Sequence, residues 1–130
     1  MWKYSIFVIL LCIFLNSCFS TPCKMSMEVI NKYNGNVEIE IKSNSVDNYL
    51  LNPLESIIRH NIDHYNGTIL VKTENKLKFI AFGEYDHWFP MSHIISILID
   101  NDEITININK MNIRLLANNY DEYEQYNDIK

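Results

Sequence analysis

The histidines are the side chains of this sequence best suited to hold a transition metal. His60 and His64 are four residues apart, and on a helix this spacing places their Cβ atoms roughly 5–6 Å apart on one face. On a strand the same spacing is roughly 13 Å, which is too long for a shared metal ion. A metal-binding protein that uses His60 and His64 is therefore one hypothesis, and it requires a helix over residues 53–65. The plainer interpretation is a set of polar surface histidines without a metal or any other cofactor.

The short motifs of common catalytic sites are missing from the sequence. There is no Gly-x-Ser-x-Gly turn and no glycine-rich phosphate loop, and the whole chain contains three glycines. Carboxylates are abundant, but none forms a convincing pair in sequence. We therefore predict that the protein is not an enzyme.

One stretch between two apolar segments, GEYDHWFPMSH, is crowded with large side chains. Aromatic residues on a loop are typical anchors of protein interfaces. In a small domain the same residues could instead fold back and close one end of the core. The first interpretation makes this loop a candidate binding site for an unidentified protein partner, formed by Tyr85, His87, Trp88, Phe89 and Met91.

The sequence Asn66-Gly67-Thr68 matches the acceptor site for N-glycosylation. In a secreted chain it predicts a glycoprotein with a glycan on an exposed turn tip at Asn66. The motif carries no such meaning in a bacterium with an ordinary secretion route.

Residues 118–130 are acidic and polar, without apolar periodicity, which indicates a disordered tail. Tyr120, Tyr123 and Tyr126 lie among aspartates and glutamates, and this pattern is typical of tyrosine sulfation and of tails that dock on basic partners. The plainer interpretation is a solvated tail that keeps the protein soluble.

The amino-terminal residues 1–20 have the pattern of a secretory signal peptide. Lys3 supplies a positive charge, residues 6–15 form an apolar run, and Cys18 and Ser20 are small residues at the cleavage positions. The run is shorter than the roughly 20 residues that a membrane span needs. We predict cleavage after Ser20 and a secreted protein without stable membrane insertion, although an uncleaved anchor is the alternative.

The cysteines near the amino terminus allow a second interpretation of this region. Residues 15–18 resemble a bacterial lipobox, in which Cys18 would be lipidated and the chain would be a lipid-anchored surface or periplasmic domain. With cleavage after Ser20, Cys23 is the one cysteine of the mature chain. It is then either a free thiol that can link two copies through a disulfide or a buried thiol beneath the first strand.

The charge of the chain excludes one class of partner. Its net charge is -5, and no basic stripe occurs. Nucleic acid is therefore not a predicted partner, and anionic membrane surfaces are disfavoured.

The secondary structure predicted after residue 24 follows mostly the two-residue period of strands. In the clearest hairpin a turn at Asn101-Asp102 aligns three isoleucine pairs on one face, Ile95 with Ile108, Ile97 with Ile106 and Ile99 with Ile104. A hairpin is also expected over residues 25–42, with Gly35 left-handed in a three-residue loop. Its register would pair Val29 with Ile39 and Met27 with Ile41.

Residues 52–65 are ambiguous. Asn52, Pro53 and Glu55 are helix-start signals, but the isoleucines and histidines that follow are weak helix formers. We expect a turn at Pro53 and then a strand that turns at Asn66-Gly67 into the next one, with a short helix near residues 53–64 as the alternative.

Together these patterns predict a small all-β protein, an antiparallel β-sandwich of about seven strands over residues 21–117. The function that fits best is that of a small secreted, non-enzymatic binding protein.

Overall fold

Two packed β-sheets form the body of the protein in the computed structural model, which describes residues 4–11, 25–62, 66–83, 93–109 and 111–129. A short exposed helix, α1 (residues 4–11), lies near the amino terminus, and α2 (Tyr120–Asp128) ends the chain. Neither helix in the described part of the chain is long and apolar enough to cross a membrane. The strands are β1 (Met25–Asn31), β2 (Val37–Lys42), β3 (Val46–Leu51), β4 (Ser56–Ile62), β5 (Asn66–Lys72), β6 (Leu77–Gly83), β7 (His93–Ile99), β8 (Ile104–Ile108) and β9 (Asn112–Ala117).

The predicted β-sandwich is confirmed, with a four-stranded sheet in the order β4-β1-β7-β8 and a five-stranded sheet in the order β3-β2-β5-β6-β9. All strand pairs are antiparallel except β1 with β7, which run parallel. The described residues hold nine strands rather than about seven. The two that the sequence pattern missed, β3 and β9, are both edge strands of the five-stranded sheet, where exposed apolar residues obscure the alternation.

The core lies between the two sheets, because each sheet turns one apolar face inward. Along β1, β2 and β7 alternate residues are buried, as expected for strands with one covered face. The most deeply buried side chains include Met25, Met27, Ile39, Ile41, Leu51, Ile69, Ile80, Ile95, Ile97 and Ile99.

The β7–β8 hairpin has the predicted register. Ile95 pairs with Ile108, Ile97 with Ile106 and Ile99 with Ile104, and all six side chains are buried. Asp100 holds the turn, because its carboxylate accepts hydrogen bonds from the backbone N–H groups of Asp102 and Glu103.

The predicted hairpin between β1 and β2 is wrong, because these strands belong to different sheets. The chain crosses between the sheets over residues 32–36, and the buried side chain of Asn31 holds this crossing. Its amide nitrogen donates to the carbonyl oxygens of Gly35 at 3.2 Å and Asn52 at 3.0 Å, and its amide oxygen accepts from Tyr33 N–H at 2.9 Å. Gly35 has no positive φ; instead, a Cβ there would lie 2.4 Å from the Tyr33 ring.

The predicted turn at Asn66-Gly67 is also wrong, because both residues belong to β5, and β4 lies in the other sheet. Gly67 serves a close approach of two strands rather than a turn. A Cβ at this position would lie 1.8 Å from the carbonyl oxygen of Lys42 on β2, so only glycine allows the chains to pack this closely.

Residues 56–62 form a strand, β4, as the sequence narrowly favours, and the alternative helix near residues 53–64 is not formed there. The preceding turn uses the helix-start signals for another purpose. Glu55 N–H donates to the Asn52 carbonyl at 3.2 Å, and the Glu55 carboxylate accepts from Asn52 N–H at 2.8 Å. Pro53 and Leu54 occupy the centre of the turn, and the φ of 62° at Leu54 directs the chain into a strand instead of a helix.

Candidate binding surface

The outer face of the five-stranded sheet is divided into a covered half and an open half. Helix α2 covers the apolar residues Leu70, Leu77, Phe79 and Ala117 on β5, β6 and β9. Among the described residues no element covers the outer side chains of β2 and β3 beside the helix. The boundary between the helix and these open strands forms the candidate binding surface.

Residues 120–128 form helix α2, whereas the sequence pattern predicts a disordered tail there. The tyrosines of the helix account for this order, because they pack against the sheet. Tyr120, Tyr123 and Tyr126 are all partly buried against the sheet. The Phe79 ring meets the ring of Tyr123 at 5.2 Å and that of Tyr126 at 5.4 Å between centroids, both edge to face. The Tyr120 hydroxyl donates to the Thr73 carbonyl oxygen.

The start of α2 carries a capping signal that could have predicted it from the sequence. The side chain of Asn119 accepts a hydrogen bond from Glu122 N–H at 2.9 Å, and the Glu122 carboxylate accepts from Asn118 N–H at 2.6 Å. An asparagine three residues before a glutamate is the pattern of a capped helix start.

Two hollows lie along the boundary. The first, with a volume of about 350 Å³, lies between β3 and β5, and its lining includes Asn48, Leu50 and Leu70. The second, of about 410 Å³, extends past Thr73 to Tyr120 at the start of α2. Both hollows are lined by Glu38 and Lys72, so they form one groove, which we call the β3–α2 groove.

The floor of the β3–α2 groove is an ion pair. Lys72 Nζ lies 2.9 Å from Glu38 Oε2, and the hydrogen bond with Glu38 raises the pKa of Lys72. Partial burial is the main cause of the raised pKa of Tyr120 at the other end of the groove. Glu40 is paired in turn with Lys42, whose Nζ lies 3.0 Å from Glu40 Oε1. With Glu74 the groove therefore has three carboxylates against two ammonium groups, so it is slightly acidic.

The chemistry of this surface suits binding. It combines exposed carboxylates with apolar contact area, because Leu50 is 64% exposed at its rim and Leu70 forms part of its wall. Over residues 4–11, 25–62, 66–83, 93–109 and 111–129, no three His, Cys, Asp or Glu side chains are grouped to hold a metal ion.

The helix that the metal hypothesis requires is a strand over residues 56–62. His60 lies on strand β4, exposed, with Nδ1 3.2 Å from the hydroxyl of Ser26. The helical spacing to His64 is therefore absent up to Ile62, and His64 itself lies outside the described residues. His93 is not a surface histidine: it is fully buried at the start of β7, and its Nδ1–H donates to the Asn109 carbonyl at 3.2 Å.

The predicted modification sites lie partly within the described residues. Asn66 is exposed as the first residue of β5, so it is accessible although it is not at a turn tip, and its glycosylation stays a prediction. Sulfation of the three tyrosines of α2 also stays a prediction, on rings that pack against the sheet instead of lying in an extended tail. Three predicted sites lie outside the described residues: the free thiol Cys23, the lipidation candidate Cys18 and the predicted binding loop. The residues predicted for that loop are Tyr85, His87, Trp88, Phe89 and Met91.

The sequence pattern did not reveal the β3–α2 groove, because its lining comes from β2, β3, β5 and α2, which only the sheet order brings together.

Comparisons with known proteins give no match: no protein-family model, no curated protein and no solved structure is significantly similar to the chain.

Proposed function

We propose that the chain is a small secreted, non-enzymatic binding protein that acts on a protein partner through the β3–α2 groove. The observation that carries the proposal is the groove itself, an open and slightly acidic channel with the exposed Leu50 at its rim. Enclosed sites that bury most of a ligand are typical of small molecules, whereas an open groove on a sheet suits a segment of another protein.

The composition of the groove defines the kind of segment that fits. The three carboxylates Glu38, Glu40 and Glu74 outnumber the lysines paired with them, which favours lysine or arginine on the partner, and the exposed Leu50 favours an apolar side chain beside them. The partner is therefore expected to present a basic and apolar segment. The loop with Trp88 is a second candidate surface for the same function, supported by its aromatic residues.

The secreted location rests on the amino-terminal pattern of Lys3, the apolar run and Ser20. We expect the intact mass of the released protein to match cleavage after Ser20, with an added glycan at Asn66 when it is expressed in eukaryotic cells. A lipidated amino terminus at Cys18 would support the lipid-anchored bacterial alternative, and a retained signal would contradict both.

Replacing Glu38 by lysine is expected to weaken partner binding by roughly tenfold or more, because it reverses the charge at the centre of the groove. The fold should survive, since an exposed ion pair contributes little to stability. The partner is first identified by mass spectrometry from surface and secreted extracts that are captured on the immobilised protein. Its Kd is then measured by titration with the purified partner.

Glu28→Lys is the matched control, because Glu28 is also exposed on an outward-facing strand position, but on the four-stranded sheet. This variant should bind the partner like the unmodified protein. Equal Kd values for all three proteins would contradict binding through the groove and would transfer the proposal to the loop with Trp88.

A further inference from the structure

In the described part of the chain, strand β3 is an edge strand with a regular pairing to β2 and without proline or lysine, and its one charged side chain is that of Asp47 on the inner side. We propose that two copies of the chain pair antiparallel through β3, with a two-fold axis at Asn48, and join their five-stranded sheets into one continuous sheet. Because Asn48 and Leu50 also line the β3–α2 groove, this pairing shares the β3 edge with the proposed partner binding, and its test uses the oligomeric state of the protein without the partner.

The other three edges of the sandwich carry protective features, which natural sheets commonly use against self-association. The pairing of β4 with β1 shifts register between Met25 and Met27, and that of β9 with β6 shifts between Phe79 and Ile80. At β8, the ammonium of Lys78 donates to the Ile104 carbonyl oxygen at 3.1 Å.

Strand β3 has none of these features along its length. It pairs with β2 over six consecutive residues without a register shift, so its free edge is regular. Its sequence, VDNYLL, contains no proline, glycine, lysine or arginine. Its outward-facing side chains are apolar at both ends, with Val46 54% exposed and Leu50 64% exposed, and Asn48 lies between them.

The order of residues along β3 is self-complementary in one register. With the axis at Asn48, Val46 lies opposite Leu50 of the second copy on the outer face, twice by symmetry. On the inner side Asp47 lies opposite Tyr49 of the second copy, and no two carboxylates are opposed.

The charges near Tyr49 support the same register. The guanidinium of Arg59 lies 5.9 Å from the centroid of the Tyr49 ring, so an Asp47 carboxylate from the second copy would arrive beside a positive charge. Moving the axis by one residue to Tyr49 would set the charged Asp47 against the buried Leu51 and the polar Asn48 against the apolar Leu50. The facing side chains would then differ in polarity in both pairs. The axis at Asn48 is therefore the register that the side chains specify.

A charge exchange across the proposed axis tests both the dimer and its register. Val46→Glu and Leu50→Lys should each raise the dissociation constant of the dimer by on the order of tenfold or more, because each places a charge opposite an apolar residue twice. Within one chain both changes are tolerated, since Val46 lies opposite Lys42 and Leu50 lies opposite Glu38 on β2. The double variant V46E/L50K should restore the dimer, because the introduced carboxylate of one copy then faces the introduced ammonium of the other.

The measurement is sedimentation equilibrium over a range of concentrations, on protein purified after expression of the full chain. A thiol reductant removes any bridge through Cys23, and Leu115→Lys, a 54% exposed leucine on the opposite edge strand β9, is the matched control that should leave the dimer unchanged. A wild type that is monomeric at all concentrations would overturn the proposal. So would a dimer that survives both single substitutions, or a double variant that does not recover.

Discussion

Replacing Phe79 by alanine is expected to lower the free energy of unfolding by about 3–5 kcal/mol and to release helix α2 from the sheet. Phe79 is 8% exposed and is the ring that both Tyr123 and Tyr126 contact. Truncating it removes the largest of the apolar side chains that α2 covers and leaves two tyrosines without this ring contact. Urea unfolding measures the loss of stability, and limited proteolysis of residues 118–130 reports the released helix.

Two comparisons separate this effect from a general loss of packing. Glu124→Ala changes an exposed residue of the same helix and should alter stability by less than about 0.5 kcal/mol. In a chain truncated after residue 117, Phe79→Ala should cost clearly less than in the full chain, because the tyrosines that it contacts are already gone. Equal costs in both chains would mean that α2 does not stabilise the fold and that the tail behaves as the sequence pattern predicts.

Local alternation of apolar and polar residues predicts the faces of strands well, but it predicts their partners only where the connection is short. The β7–β8 hairpin was predictable because Asn101-Asp102 leaves one register that keeps every isoleucine on one face. For β1 and β2 the same alternation is satisfied by a hairpin and by a crossing between facing sheets. The hydrogen bonds of Asn31 decide between them, and they involve Asn52, which is distant in sequence.

Residues 52–55 show why local signals can point to the wrong element. The hydrogen bond from Asn52 N–H to the Glu55 carboxylate resembles that of a capped helix start, so the sequence signal was real. The element that follows was decided by the strand partner β1 and by the left-handed backbone at Leu54, a conformation that a sequence pattern does not reveal for leucine.

The candidate site was less predictable than the fold. Helix α2 contains no aliphatic residue, and its packing relies on tyrosines at every third position among acidic side chains. Composition therefore indicated disorder, although Asn119 and Glu122 already marked a helix start. The groove depends on that helix, so it could not be found before the helix was placed against β5 and β6.

Replacing Asn31 by aspartate is expected to destabilise the protein by about 3–5 kcal/mol at pH 7, although the two side chains are nearly isosteric. The amide of Asn31 donates to the carbonyl oxygens of Gly35 and Asn52, and a carboxylate would turn a negative oxygen toward both. Asn31 is 2% exposed, so water cannot replace the lost hydrogen bonds. The variant would therefore carry a buried charge that faces two acceptors.

The pH dependence of this loss identifies the buried charge as its cause. Burial and the two carbonyl oxygens should raise the pKa of the introduced carboxyl group in the folded state above the roughly 3.9 of an unfolded chain. The folded state then binds more protons than the unfolded state between those two pKa values, so stability relative to the wild type falls as the pH rises through that range. Urea unfolding at pH 4 and pH 7 should show a smaller penalty at pH 4.

Asn34→Asp is the matched control, because Asn34 is an exposed residue in the same crossing between the sheets. It should change stability by less than about 0.5 kcal/mol at either pH, since its carboxylate stays in water. A penalty for Asn31→Asp that is small at pH 7, or that grows as the pH falls, would contradict the assignment of Asn31 as the amide that holds β1 and β2 in different sheets. The chain would then need another reason to cross between the sheets rather than form the hairpin that its alternation allows.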